Sequence, residues 1–582
     1  MARLGKRYRE IERQWPARAC IGFAALCALS GCVNHPPAPP GALACSQMLN
    51  IVVPASAIAL PTDGAIVSSA TEVLVAAPAG EKSLPAYCKV LGSITALDPS
   101  APSIRFELDL PAEWNGKALM LGGGGFNGTI PHTAGNIPAG PVDRPVPLAR
   151  GYAVFASDSG HQSPTSAQSP LAPAMDARFA LNPEALRNFT GDALKKTHDA
   201  ALFLIRERYA VHDVDRMYFA GGSTGGREAL EVIQRWPQDW DGAIAWYPAW
   251  NHISLVMQVG RVARALAPPG GWLNQAKRKL LFDAVLETCD HLDGVEDGIV
   301  SNTLACNAGF EPAAAQVRGI PLRCTGGLDL GDTCLSDAQI ETLRVFNTEI
   351  EFDPPLTSGE THYPGYNVYG ADLGMASDNP LQPLVTALAL GFEPPDSLLT
   401  AGKSPAASVF WDQWVRYVFA GNEDYGALSL DPVARGELRE RIDELSESLD
   451  INATDLSAFA SKGSKLIIAH GTADVLVSPR STEDYVARIK MTMGEAVTRG
   501  FLRYYEVPGF GHGVSTVFNA SWDSLTVLDN WVESGAAPPS QIVTDSLGVP
   551  GRTRPLCEFP AWPRYRGAGD VNVASSFTCV QP

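Results

Sequence analysis

Arg216-Met217-Tyr218-Phe219-Ala220-Gly221-Gly222-Ser223-Thr224-Gly225-Gly226-Arg227 is the stretch on which the reading of this chain turns. Its apolar start suits a strand, and the Glu228-Ala229-Leu230-Glu231-Val232-Ile233 that follows has helical composition. Between them lies Gly-x-Ser-x-Gly, the pattern of a nucleophile elbow. A serine on a tight strand-to-helix turn needs neighbours without side chains, so that its hydroxyl projects freely while the backbone closes. The same five residues also suit an ordinary glycine-rich turn, so the flanking chain has to decide.

Working outward, strand candidates alternate with helical pattern. Lys117-Ala118-Leu119-Met120-Leu121 runs into the glycine-rich loop 122–128, and residues 152–156 run into Ser157-Asp158-Ser159-Gly160-His161. A helical pattern over 200–209 precedes the elbow, and a further strand over 243–247 follows its helix. This alternation predicts an α/β fold with a mostly parallel sheet covered on both faces. The rhythm breaks from Pro248 to Ser461, a Pro-, Gly- and aromatic-rich stretch read as an insertion, and resumes at 465–474 and 502–513. The catalytic body is therefore expected over 45–247 and 462–582, with a lid domain over 248–461.

In an α/β-hydrolase the serine is followed by an acid and then a histidine. Asp474, in His-Gly-x-x-Asp, and His512, in a glycine-flanked loop, each follow a strand candidate, where such sheets gather their ligands. Ser223 is thus the expected nucleophile, His512 its base and Asp474 the group that orients the imidazole. The oxyanion of the intermediates requires two N–H donors, expected from Thr224 and from Gly123, with Gly128 as the alternative at the far end of the loop.

Composition bounds the rest. The 582 residues are 45% hydrophobic and 19% charged, in the range of soluble globular proteins. Forty-five Lys and Arg against 63 Asp and Glu give a net charge of −18, which argues against nucleic acid as a partner. The N-terminus carries six arginines or lysines ahead of a short apolar segment, the form of a secretory signal. Leu29-Ser30-Gly31-Cys32 resembles a lipobox, so the expectation is cleavage after Gly31 and acylation of Cys32, with a plain secretory signal as the alternative. Residues 33–44 read as a Pro-rich tether. The protein is expected to be exported, either anchored to the outer membrane or free in the periplasm or medium. Its contact with membrane is expected through the anchor alone. Eight cysteines remain beyond Cys20, Cys27 and Cys32. An even number suits disulfides, but spacing does not choose among 105 connectivities.

Several motifs together resemble the bacterial tannase and feruloyl esterase family, which includes enzymes that hydrolyse mono(2-hydroxyethyl) terephthalate. They are the Gly-Gly-Ser-Thr-Gly-Gly-Arg elbow, the 289–300 segment Cys-Asp-His-Leu-Asp-Gly-Val-Glu-Asp-Gly-Ile-Val, the His-Gly-x-x-Asp and Val-Pro-Gly-x-x-His motifs, and the tail around Cys557 and 564–570. The resemblance covers nearly all of the mature chain. It implies hydrolysis of small aromatic esters (feruloyl, galloyl, hydroxybenzoyl or terephthalate monoester) under a large lid. It also implies the pairs Cys45 with Cys88, Cys289 with Cys306, Cys324 with Cys334, and Cys557 with Cys579. Members commonly carry cysteines immediately before the serine and after the histidine, joined in a disulfide. Here those places hold Gly222 and Gly513, so the triad must be held by packing and hydrogen bonds.

Asp290, Asp293 and Asp297 lie within eight residues and repel one another unless a hard cation neutralises them; on the residues alone a solvated acidic loop is equally open. The resemblance implies a structural Ca²⁺ held by these three carboxylates and the carbonyls of Val295 and Ile299. For the substrate, the aromatic residues of the insertion, Trp411 among them, offer stacking surfaces, although their helical spacing also suits a lid core. Lys403 and Arg416 are candidate partners for a substrate carboxylate. His470 and residues 158–161 are candidates for the pocket wall. The competing function is a non-catalytic, calcium-stabilised surface lipoprotein that kept the fold for binding.

Overall fold

Three consecutive runs in this chain are buried on both faces, and they set the centre of the molecule. The computed structural model describes residues 41–74, 84–164, 171–396 and 398–582. In chain order the main sheet comprises β1 (Val52–Val53), β2 (Ala65–Val73), β3 (Tyr87–Ile94), β4 (Ile104–Pro111), β5 (Lys117–Leu121), β6 (Ala153–Ser157), β7 (Arg216–Gly222), β8 (Gly242–Trp246), β9 (Lys465–Gly471), β10 (Leu502–Val507), β11 (Ala520–Ser521), β12 (Gln541–Asp545) and β13 (Thr553–Glu558). Their spatial order is β1-β2-β3-β4-β6-β5-β7-β8-β9-β10-β13-β12-β11. From β6 to β10 all neighbours are parallel, while both flanks are antiparallel. The central strands β7, β8 and β9 carry near-continuous apolar runs because helices cover both faces. The flanking β2 is largely exposed beyond its first residues, as an antiparallel edge can be.

This is an α/β-hydrolase fold. Helix Ala193–Tyr209 (α1) packs on β3, β4 and β6, and helix Thr224–Arg235 (α2) packs on β7 and β8. Between β8 and β9 the chain leaves the sheet for more than two hundred residues. Among the described residues none of the strands there joins the main sheet: two short ribbons pair only within themselves, Gln316–Val317 with Ile320–Pro321 and Ile350–Glu351 with His362–Tyr363. Helices dominate the excursion, including His252–Leu266 (α3), Gln275–Cys289 (α4), Asp337–Asn347 (α5), Ala406–Gln413 (α6) and Arg439–Leu449 (α7). Its apolar core is continuous with Phe126, Phe189, Ala473 and Val477, which lie in or beside loops at the carboxyl ends of the strands. The excursion therefore roofs the edge of the sheet where the elbow sits.

All four disulfides implied by the family resemblance are present: Cys45–Cys88, Cys289–Cys306, Cys324–Cys334 and Cys557–Cys579. The expected signal segment, Cys32 and most of the tether fall outside the described residues. Among the described residues no helix is long and apolar enough to cross a membrane.

Candidate active site

Strand β7 delivers Ser223 with φ 60° and ψ −122°, a strained conformation for a residue with a side chain, and α2 begins at the next residue. The turn is tight enough that a Cβ on Gly221 would lie 2.3 Å from the carbonyl oxygen of Gly225. That contact explains the glycine at the start of the motif. The elbow is also laced to the glycine-rich loop after β5. Gly225 N–H donates to Gly123 O (3.1 Å), and Thr224 Oγ1 donates to Gly125 O (2.7 Å).

His512, in the loop after β10, bridges the other two groups. Its Nε2 lies 3.0 Å from Ser223 Oγ, and its Nδ1 lies 2.8 Å from Asp474 Oδ2. A carboxylate only accepts, so Nδ1 carries the proton and Nε2 is free to receive one from the serine. Asp474 is fully buried, and its other oxygen accepts the N–H groups of Leu476 (2.8 Å) and Val477 (3.0 Å). Burial opposes ionisation of this carboxyl, but the imidazoles of His512 and His470 outweigh it and hold Asp474 well below the usual carboxylate range. His470 belongs to this support. Its Nε2 lies 3.3 Å from Asp474 Oδ2 and 3.1 Å from Val477 O, and its Nδ1 meets Thr482 Oγ1 at 2.9 Å. It stands behind the acid and not on the pocket wall.

The expected donor Gly123 is corrected by the structure. Its N–H is committed to the Glu228 carboxylate at 3.0 Å, and the alternative, Gly128, donates to Asp158 O at 3.1 Å. Further along the loop Gly124 and Gly125 both line the cavity with Ser223 and Thr224, and the N–H of Gly124, like that of Thr224, has no partner among the described residues. Glu228 was not singled out from the sequence because it reads as one more helix former. It is buried and also holds Asn127 Nδ2 (2.5 Å), so one carboxylate on α2 fixes both ends of the glycine-rich loop. Burial pushes this carboxyl up.

Above Ser223 lies a cavity of about 340 Å³ roofed by the excursion. Phe410 and Trp414, one helical turn apart, both face it. Trp411, Lys403 and Arg416 do not. Trp411 is next to Phe410 but turned into the roof, where its Nε1 donates to Ala427 O at 3.0 Å. Arg416 is bound to Asp412 (2.8 Å) and to the carbonyl of Glu423 (2.8 Å), and Lys403 is exposed. His161 is buried against the Phe179 ring (3.7 Å between centroids) and does not line the cavity.

In the acidic loop, Asp290 accepts the N–H of Gly298 (3.0 Å), Asp293 Oδ1 that of Val295 (3.2 Å) and Asp297 Oδ1 that of Ile299 (3.1 Å). Asp297 Oδ2 is ion-paired with Arg554. The other oxygen of Asp293 is buried with no partner, and burial, joined by the Asp297 and Asp290 charges, pushes that carboxyl up to about 7. Among the described residues no three His, Cys, Asp or Glu side chains gather into a metal-binding group. An orphaned buried oxygen beside the Asp290 and Asp297 carboxylates is a donor suited to a hard cation, while Arg554 already neutralises part of the set.

The fold and the Ser–His–Asp arrangement define a hydrolase of the α/β-hydrolase class. Residues 88–580 match the family model described as "Tannase and feruloyl esterase". The chain is 39% identical over 544 residues to an uncharacterized esterase of Agrobacterium fabrum, covering 92% of this chain and 93% of that one. It is 32% identical over 549 residues to a mono(2-hydroxyethyl) terephthalate hydrolase of Piscinibacter sakaiensis, covering 87% of each. The crystal structure of feruloyl esterase B from Aspergillus oryzae has the same fold, with a TM-score of 0.68 at 22% identity, covering 89% of this chain and 97% of that one. The chain belongs to the tannase and feruloyl esterase family and is a carboxylic ester hydrolase.

One side chain accounts for the missing cysteines at Gly222 and Gly513. The Tyr247 ring lies between them: a Cβ on Gly222 would come 2.6 Å from its Cε2, and one on Gly513 would come 3.0 Å from its hydroxyl. The same ring packs on His512 at 4.8 Å between centroids. The expected outcome is that Gly222→Cys with Gly513→Cys leaves two free thiols by titration, whereas adding Tyr247→Ala lets the bridge form. A bridge formed with Tyr247 intact would contradict this packing.

Proposed function

We propose that this enzyme hydrolyses esters of aromatic acids through a covalent acyl-enzyme on Ser223. The observation that carries the reading is the placement of His512 within hydrogen-bond reach of both Ser223 Oγ and Asp474 Oδ2, at 3.0 and 2.8 Å. Ser223 Oγ attacks the ester carbonyl as its proton passes to His512 Nε2. The tetrahedral oxyanion is met by the N–H groups of Thr224 and Gly124, each donor of this kind being worth about 10²–10³ in rate. The alkoxide leaves with the proton returned by the imidazolium. Water, deprotonated by the same imidazole, then attacks the acyl-enzyme to release the acid and restore Ser223. Asp474 holds the tautomer and stabilises the imidazolium without accepting the proton. The aromatic acyl class is supported by the family and by the rings of Phe126, Phe410 and Trp414 on the cavity wall.

The excursion over the site acts as the lid in this reading. Export is supported by the N-terminal sequence and by four disulfides, which persist in oxidising compartments; lipid attachment at Cys32 is supported by the lipobox pattern. A structural Ca²⁺ is proposed at Asp290, Asp293 and Asp297 with the carbonyls of Val295 and Ile299, where it would neutralise the buried carboxylates. Ile299 packs beneath Gly509, at the root of the loop that carries His512, so order in the acidic loop bears on the base.

Ser223→Ala is expected to abolish turnover of p-nitrophenyl acetate, and Asp474→Asn to lower kcat by about 10³–10⁴ while ester binding persists. Undiminished turnover in Ser223→Ala would contradict the nucleophile assignment. Chelation of Ca²⁺ is expected to lower the melting temperature by several degrees, reversibly on adding the ion back. An unchanged melting curve would remove calcium from the account.

A further inference from the structure

The chemistry of the acyl group can be narrowed by what the cavity wall offers it, an argument that rests on the ester-hydrolase reading above. About 340 Å³ suits an acid of one aromatic ring and a short arm. Among the described residues lining it there is no Lys, Arg, Asp or Glu. Two imidazoles reach the wall. His512 is engaged with Ser223 and Asp474, and burial together with the charge of Arg227 pushes His252 down to about 3, so it is neutral at physiological pH. The hydroxyls of Tyr247 and Tyr366 are pushed up by burial and stay protonated.

The charges behind the wall are not available to a ligand. Arg278 is buried behind Leu390 and spends its guanidinium on the carbonyls of Leu273, Gly374, Leu390 and Gly391. Arg227, next to His252, is ion-paired with Glu231 at 2.9 Å. A small recess adjoins the cavity and shares Leu388, Ala389, Val475 and His512 with it; it too holds no Lys or Arg among the described residues, and its acidic side chain is Asp372. A substrate carboxylate would lose its water, find no cation and lie near a carboxylate.

We propose that the acyl site selects uncharged aryl acids and rejects acids that carry a second, ionised carboxyl group. The cost of leaving such a charge dry and unpaired is large enough to lower kcat/KM at least about a hundredfold. The test compares three methyl esters at neutral pH on the wild-type enzyme: methyl benzoate, monomethyl terephthalate and dimethyl terephthalate. The last two share the terephthaloyl frame, with the para carboxyl ionised in the monoester and capped as an uncharged methyl ester in the diester. The expected result is efficient cleavage of methyl benzoate and dimethyl terephthalate, with monomethyl terephthalate at least about a hundredfold slower in kcat/KM. Equal or faster turnover of the monoester would overturn the inference and leave the esterase reading intact. Rejection of the diester as strongly as the monoester would place the barrier in shape and overturn it as well. Activity toward none of the three, nor toward methyl cinnamate, would overturn the aromatic-esterase reading and this inference with it.

Discussion

A carboxylate without solvent has to be met by donors, and the donors that Asp474 finds order the whole site. It sits at the carboxyl end of the parallel sheet with no exposure, where an unpaired charge would cost several kcal/mol. Two backbone N–H groups and two imidazoles meet it. His470 does so from β9 itself and is held by Thr482, so the acid is fixed from behind. His512 does so from the far side, which leaves its other nitrogen facing Ser223. The arrangement is set before any substrate arrives, which is the condition for electrostatic catalysis.

The second constraint is close backbone approach. The elbow and the glycine-rich loop touch main chain to main chain, and Glu228 anchors that loop from the elbow's own helix. Ser223 and the N–H groups of Thr224 and Gly124 therefore ride on one assembly of β5, β7 and α2. On the His512 side, Tyr247 fills the space between Gly222 and Gly513 and presses on the imidazole. Packing of one ring thus occupies the place where the family resemblance leads one to expect a disulfide. Over all of this, the excursion between β8 and β9 lays an apolar roof above Ser223.

Much of this was legible in the sequence because the signals were local. The elbow, the apolar runs of β7 to β9 and the order of Ser223, Asp474 and His512 are patterns within short windows, and the strand register then brings their ends together. The flanking antiparallel strands β2 and β3 were less visible although they are longer than the central ones, since they mix small and polar residues among the apolar ones. Gly123 was the wrong choice for the oxyanion because four successive glycines look alike in sequence; it is the buried Glu228, a long-range partner, that takes up the Gly123 N–H. Likewise Trp411 and Phe410 are adjacent in sequence, and their opposite fates depend on how α6 is rotated against α3. Lys403 and Arg416 were attractive as cations, but the first is left in solvent and the second turns to its own acidic neighbour Asp412, an i, i+4 pairing that helix geometry favours.

The central claim is that His512 makes one hydroxyl in this chain a nucleophile. Peptide mapping by mass spectrometry after exposure to a fluorophosphonate tests it directly. The account predicts a single adduct per chain, on Ser223, which is lost in His512→Ala. An adduct on another residue, or equal labelling of Ser223 without the imidazole, would contradict it.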